Sequence, residues 1–229
     1  MVVITSDDRA VILDAVRRMY TDVAREPERT FHFPTGREAC DFEGYPEELL
    51  EPVPEEAVAS YAGVSCPYQA DVIREGDTVL DIGSGSGTDV LIAAALVGPE
   101  GEVAGLDLTP AMRDRLRENA GQMGVDNVRA LAGNAESIPL PDASVDVVTT
   151  NGVLNLVPDK PAAVAEIDRV LRPGGRLQLA DIVLAEEPSD ACRREPELWA
   201  ECIVGATKEA DYLDLFREIG RASCRERVY

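Results

Sequence analysis

The sequence predicts an α/β fold: a Rossmann-like doubly wound parallel sheet preceded by an N-terminal helical cap. Three observations predict it. From residue 77 onward, short runs rich in β-formers alternate with helical patterns, which implies parallel strands joined by crossover helices. The first run ends in a loop of alternating glycines, DIGSGSGTD at 81–89. A chain of 229 residues with 45% hydrophobic side chains is also long enough for one sizeable core.

Residues 1–75 read as the cap. Val11 to Ala24, "VILDAVRRMYTDVA", places apolar residues at helical spacing. "FHFPTG" and "GYPEELLEPVPEEAVASYAG" read as short helices and turns. The α/β region spans 76–220. "DTVLDIG" is a strand running into the glycine loop, and Asp89 to Val97 is an apolar helix. "EVAGLDL" is the second strand. Thr109 and Pro110 start the next helix, Thr as cap and Pro at the first helical position. "NVRALAG" and "VDVVTTN" are the third and fourth strands. "KPAAVAEIDRVL" is a helix closed by "RPGG", "RLQLADIVL" is the fifth strand, and Asp211 to Ile219 is an amphipathic helix.

Composition excludes several functions. The formal net charge of −21 repels a phosphate backbone, so no nucleic-acid partner is expected. The longest apolar stretch, Val90 to Val97, is too short to span a bilayer, and no signal segment opens the chain; a cytoplasmic protein with no membrane partner is expected. The acidic, lysine-poor composition suits a high-salt setting and equally suits GC-rich codon usage. His32 is the only histidine, which excludes His-pair metal sites. Five cysteines, odd in number and without a Cys-x-x-Cys spacing, argue against a disulfide framework or a zinc knuckle, and no metal site is expected.

The loop selects among nucleotides by charge and size. A dinucleotide fingerprint needs Gly or Ala at the sixth loop position, where this chain has Thr88, and a phosphate-binding Walker loop needs a lysine that is absent. Asp81 and Asp89 would both oppose a pyrophosphate. They suit S-adenosylmethionine, which has no phosphate and carries a sulfonium and an ammonium. Asp107 ends the second strand, where an acid receives ribose hydroxyls, a feature that alone does not separate the cofactors.

"VLDIGSGSGTD", "GLDLTPAM", "GNAESIPLP" and "LRPGGRLQLAD" together resemble the class I S-adenosylmethionine-dependent methyltransferases, in the family's order, from Asp77 to about Ile182. The resemblance implies a cofactor-binding set. Gly83, Ser84, Gly85 and Gly87 line the methionine and ribose, Asp81 faces the amino-acid end, and Asp107 binds the ribose. Leu108 and Met112 flank the adenine, though both positions also suit plain core residues. Asn134, Ala135 and Glu136 follow the third strand where the adenine edge is read, and Asn151 lies beside the methionine.

Three further segments, "GYPEELLEPVPEEAVASYAGVS", "NGVLNLVPDK" and "LWAECIVGA", resemble the arsenite methyltransferases, over about Val11 to Ile219. That family implies a small-molecule acceptor, trivalent arsenic with thiols, held by cysteine thiolates that suit a soft element. The arsenic lone pair is the nucleophile, so positioning matters more than a base. Cys202 falls on one of the family's arsenic-binding cysteines and Cys66 within two residues of another; Cys40 and Cys192 read as structural thiols. The departure is Gly152, which stands where the family has a third cysteine. A methyltransferase for another small acceptor and a cofactor-binding protein without turnover stay open; a nicotinamide oxidoreductase is disfavoured by Thr88. The family also continues into an antiparallel strand pair, expected to be missing here. Residues 221–229 are basic, resemble a translated sequencing adaptor, and read as a non-native tail that leaves Cys224 without function.

Overall fold

The computed structural model describes residues 5–189, 191–192, 195–202 and 204–218; Ile219, the tail over 221–229 and Cys224 lie outside the described residues. Helix α1 (Ser6–Arg25) starts earlier than its apolar periodicity suggests, because Thr5 and Asp8 form a capping box. Short helices α2 (Gly36–Phe42), α3 (Glu47–Leu50) and α4 (Glu55–Ala59) follow, then a 3-10 turn over Pro67–Ala70. Their apolar side chains form a cluster shared with the α/β unit. Leu50, Val58, Tyr61 and Tyr68 pack with Leu91 and Ile92, which belong to the first helix of the α/β unit.

That unit runs β1 (Thr78–Ile82), α5 (Thr88–Val97), β2 (Glu102–Asp107), α6 (Pro110–Met123), β3 (Val128–Ala132), β4 (Val145–Asn151), α7 (Lys160–Val170) and β5 (Leu171–Ala180). The strands form one parallel sheet in the order β3-β2-β1-β4-β5. The order reverses at β1, so the crevice for a ligand opens outside the carboxyl ends of β1, β2 and β4. Leu80, Ile82, Leu106, Val148 and Ile167 are buried between the sheet and α7. No described helix is long and apolar enough to cross a membrane.

Three local expectations change. "RPGG" was expected to close a helix but lies inside β5; the register jumps from Val145 opposite Leu171 to Val147 opposite Arg176, so residues 172–175 bulge out of the ladder. The fifth strand does not continue to Leu184. It breaks at Asp181, whose carboxylate accepts bonds from Asn155 N at 3.0 Å, Ile182 N at 2.8 Å and the Tyr212 hydroxyl at 2.8 Å. The chain beyond forms β6 (Val183–Leu184), which leaves the main sheet and pairs in parallel with β7 (Thr207–Lys208); between them lies α8 (Pro196–Ala200), and α9 (Glu209–Glu218) follows. Thirdly, the Thr109 hydroxyl does not cap α6. The Thr109 backbone N–H donates to the Asp107 carboxylate at 2.7 Å.

Gly121 lies inside α6 with open space where a Cβ would point. Gly121→Ala should therefore stabilise the protein by about 0.5–1 kcal/mol, the entropy a helical glycine forfeits. A urea midpoint that stays put or falls would contradict this.

Candidate active site

The cleft sits at the switch point. Its floor is the glycine loop with the ends of β1, β2 and β4, and its roof is Leu13, Val16 and Tyr20 from α1 with residues 60–63. Of the residues singled out in the sequence, Asp81, Gly83, Ser84, Gly85, Asp107, Leu108, Met112, Asn134, Ala135 and Asn151 all line it. Gly87 and Glu136 do not. Gly87 is the left-handed residue entering α5, with φ of 106°, and Leu116 packs against it. Glu136 points elsewhere: its carboxylate pairs with Arg9 of α1 and accepts the Asp159 N–H at the start of α7. It fastens the roof to the sheet and is not among the cleft walls.

Three buried acids converge here. Asp81 accepts a 2.6 Å bond from Thr149, its neighbour across β4. Asp89, in the first turn of α5, accepts bonds from the Tyr45 hydroxyl at 2.7 Å and Asn151 Nδ2 at 3.1 Å. Asp107 accepts the Gly85 N–H at 2.9 Å, tying the loop to β2. Burial raises all three, because it disfavours the charged form. Asp89 is pushed up to about 6 despite the bonds from Tyr45 and Asn151. Asp81 is raised first by burial and then by the charge of Asp89, with Thr149 opposing. Asp107 is raised by burial, with the bonds from Thr109 and Gly85 opposing. A cation entering the cleft would relieve this repulsion.

The residues fit S-adenosylmethionine. Gly85 has φ of 53° and open space where a Cβ would stand, so the backbone presents itself to a ligand. Ser84 Oγ is buried beside the cleft with no hydrogen-bond partner among the described residues. An acceptor set of carboxylates with one spare hydroxyl matches an ammonium, a sulfonium and ribose hydroxyls, and it repels a phosphate. Thr88, which argued against a dinucleotide, donates to the Ala57 carbonyl at 3.0 Å, as Ser86 does at 2.8 Å; a glycine could not make this tie to α4.

Sequence reasoning missed the network around Asn151. Its Nδ2 reaches the Tyr45 hydroxyl at 3.0 Å, the Tyr61 hydroxyl at 3.2 Å and the Ser65 carbonyl at 2.8 Å, while its Oδ1 accepts the Val64 N–H at 2.9 Å. One strand-end side chain thus binds the cap segment to the sheet. The two tyrosines lie in "GYPEELLEPVPEEAVASYAGVS", 106 and 90 residues before Asn151, and nothing local in that segment marks them as its partners.

Cys66 and Cys202 do not assemble into one site. Cys66 is buried with Cys40, Tyr45 and Tyr68, whereas Cys202 is buried with Ile12, Val16, Leu156 and Trp199. Neither lines the cleft, and burial pushes each thiol up to about 11. Cys202 lies directly behind the wall, with Sγ 3.7 Å from the hydroxyl of Tyr20. Gly152 does line the cleft, in the left-handed region at φ of 70°. His32 is exposed, 3.6 Å from Glu201, and takes no part in the cleft walls. Among the described residues no cluster of three or more His, Cys, Asp or Glu could hold a metal.

A family model for the methyltransferase domain matches residues 73–220, the segment that carries this cleft. The chain belongs to the methyltransferase domain family. It is a class I S-adenosylmethionine-dependent methyltransferase domain near the arsenite methyltransferases. The arsenite methyltransferase of Halobacterium salinarum is 38% identical over 160 residues, covering 69% of this chain and 41% of that protein. The human arsenite methyltransferase is 34% identical over 183 residues, 76% of this chain and 48% of the relative. Among solved structures, the arsenic (III) S-adenosylmethionine methyltransferase of Chlamydomonas reinhardtii superposes with a TM-score of 0.62 at 32% identity, covering 83% of this chain and 62% of that one. The chain spans about half the length of the curated relatives it matches.

Proposed function

We propose that this chain transfers a methyl group from S-adenosylmethionine to a small thiophilic acceptor, in the manner of an arsenite methyltransferase. The observation that carries the reading is the pairing of a buried carboxylate cluster suited to a cationic cofactor with a cysteine thiol one side chain behind the same cleft. Residues 76–220 would bind the cofactor and residues 1–75 would cover it. Asp81 and Asp89 would hold the cationic methionine end, Asp107 the ribose, and Leu108 and Met112 the adenine. Bound there, S-adenosylmethionine would supply a methyl group made electrophilic by its sulfonium. The protein's own task is to seat an acceptor whose lone pair attacks without help from a base. Cys202 is the thiol best placed for this; the burial of Cys66 in a different cluster argues against a pair made of those two.

One observation favours another small acceptor. The wall beside Gly152 is apolar, built from Val153, Leu156 and Val157 with Leu13 and Val16. Assay against a panel of acceptors, with product identification, separates the two readings.

Arsenite methylation should be weak in the parent chain, since Gly152 brings no sulfur. Gly152→Cys should raise trivalent arsenic affinity on the order of tenfold or more through a second tethered ligand. It should also destabilise by about 1–2 kcal/mol, because a side chain at this φ is strained. The new Cβ would lie 3.1 Å from Val64 Cγ1, which adds crowding. Equal methylation rates in the parent and the variant would mean that no cysteine is required at this position.

A further inference from the structure

One bond in the Asn151 network runs from the cap straight to an acid of the cleft wall. The orientation of the Asn151 amide is set by two backbone groups that can only donate: the Val64 N–H at 2.9 Å and the Ser65 N–H at 3.4 Å both meet Oδ1. Nδ2 therefore carries the protons toward four acceptors, the Tyr45 and Tyr61 hydroxyls, the Ser65 carbonyl and Asp89 Oδ2. Two amide protons are divided among them. Tyr61 sends its own proton to the Ser65 carbonyl at 3.2 Å. Tyr45 accepts from Nδ2 and sends its proton to Asp89 Oδ1 at 2.7 Å, an undivided bond. Its phenol is buried and held edge-on against Tyr61, with ring centroids 5.2 Å apart. Asp89 lines the cleft, and a carboxylate with two donors still has lone pairs for a ligand.

We propose that Tyr45 is a positioning residue for the cationic end of the cofactor: carried by the cap, its hydroxyl holds the Asp89 carboxylate ionised and oriented in the cleft wall. The inference rests on the reading of Asp89 as a holder of the methionine end. A hydrogen bond to the charged form favours that form, and a phenol donor to a carboxylate is stronger than a neutral pair. Burial pushes Asp89 up to about 6, and the Tyr45 bond is the first of those opposing it. Without that proton the acid would stay neutral to higher pH and would lose the contact that fixes its plane. The coupling is reciprocal: a bound cation favours ionised Asp89, which strengthens the Tyr45 bond and so the seating of the cap.

Titratable groups face Asp89 from each element packed on it: Cys40 of α2, Tyr45 between α2 and α3, Tyr61 after α4, Cys66 and Tyr68 at the 3-10 turn, and Asp81 of β1. Burial pushes the thiols and phenols up, so Asp81 alone of these titrates beside Asp89 in the acid range. The test follows the Asp89 carboxyl carbon by NMR in the free, carbon-13-labelled full chain from about pH 4 to 8, with Asp89→Asn identifying its signal. In Tyr45→Phe the midpoint should rise from about 6 by roughly half to one pH unit. S-adenosylmethionine affinity at pH 7 should fall on the order of tenfold. Tyr68→Phe removes a hydroxyl from the same buried cluster, but one that donates to the main-chain carbonyl of Asp89, and should leave the midpoint where it is. Equal midpoints in the two variants, or none moved in Tyr45→Phe, overturns the proposal. Should Tyr45→Phe fail to fold, 3-fluorotyrosine placed at position 45 keeps the ring and strengthens the donor; the midpoint must then fall, and a rise or no change overturns the proposal. An unmoved midpoint beside a cofactor weakened by Asp89→Asn rejects Tyr45 and leaves the role of Asp89 standing. A raised midpoint with affinity untouched in both Tyr45→Phe and Asp89→Asn rejects the reading of Asp89 and the proposal with it.

Discussion

Asp107→Ala should weaken S-adenosylmethionine binding by about 1–3 kcal/mol, roughly 5- to 150-fold in Kd. The carboxylate ends β2 in the cleft wall, where ribose hydroxyls would meet it. It does a second job: Oδ2 accepts the Gly85 N–H at 2.9 Å and Oδ1 the Thr109 N–H at 2.7 Å. Alanine therefore loses a ligand contact and also releases two backbone donors that shape the loop. Asp107→Asn separates these effects. It keeps an acceptor oxygen for one N–H and removes the charge, so it should retain more stability than alanine while still weakening the cofactor. Calorimetric titration well below the unfolding temperature decides the matter. Unchanged affinity in a folded alanine variant would remove Asp107 from the binding site.

Cofactor affinity should fall about tenfold between pH 7 and pH 5. Asp89 stands at about 6 in the free protein, and Asp81 is raised beside it, both chiefly through burial. A cationic ligand binds their ionised forms. Below about 6 it must displace a proton, and at pH 5 that costs about a factor of ten for a group at 6. Staying at or below pH 7 keeps the ligand's ammonium charged. The stability of the unliganded protein runs the other way. These acids hold protons more tightly folded than unfolded, so between about pH 4 and 6 the folded state carries more protons. Their contribution to stability then falls as pH rises. This is opposite to a salt-bridged carboxylate. Binding isotherms in two buffers of different ionisation heat should show proton release near pH 6, and Asp89→Asn should flatten the profile. A pH-independent affinity with no proton release would mean that the acids do not face the cation.

Much of the fold and part of the cleft were legible in the sequence because they rest on local rules. Parallel strands alternate with helices, the glycines in 83–87 enforce a turn, and an acid ends the second strand, so the loop and Asp107 fall at strand ends that wall the cleft, while the individual roles of Asp81 and Gly85 came from the resemblance to the methyltransferases. Glu136 points away from the cleft for an equally physical reason. Its position after β3 suits a ligand contact, but Arg9, 127 residues away in sequence, captures its carboxylate. The straight reading of "RLQLADIVL" failed likewise, since nothing local reveals that Asp181 is held by Asn155 and Tyr212.

What the sequence determined by itself is the cofactor chemistry: acids flanking a glycine loop that has neither a lysine nor a small sixth residue favour a cationic, phosphate-free nucleotide. It also determined that position 152 brings no thiol. Only the tertiary structure placed the two thiols in separate clusters. Cys66 and Cys202 carry equally plain side chains in the sequence, yet chain crossings bury one against α5 and set the other behind Tyr20 of α1. Proximity to a reacting centre depends on contacts between residues far apart in the chain, and a linear pattern does not encode those distances.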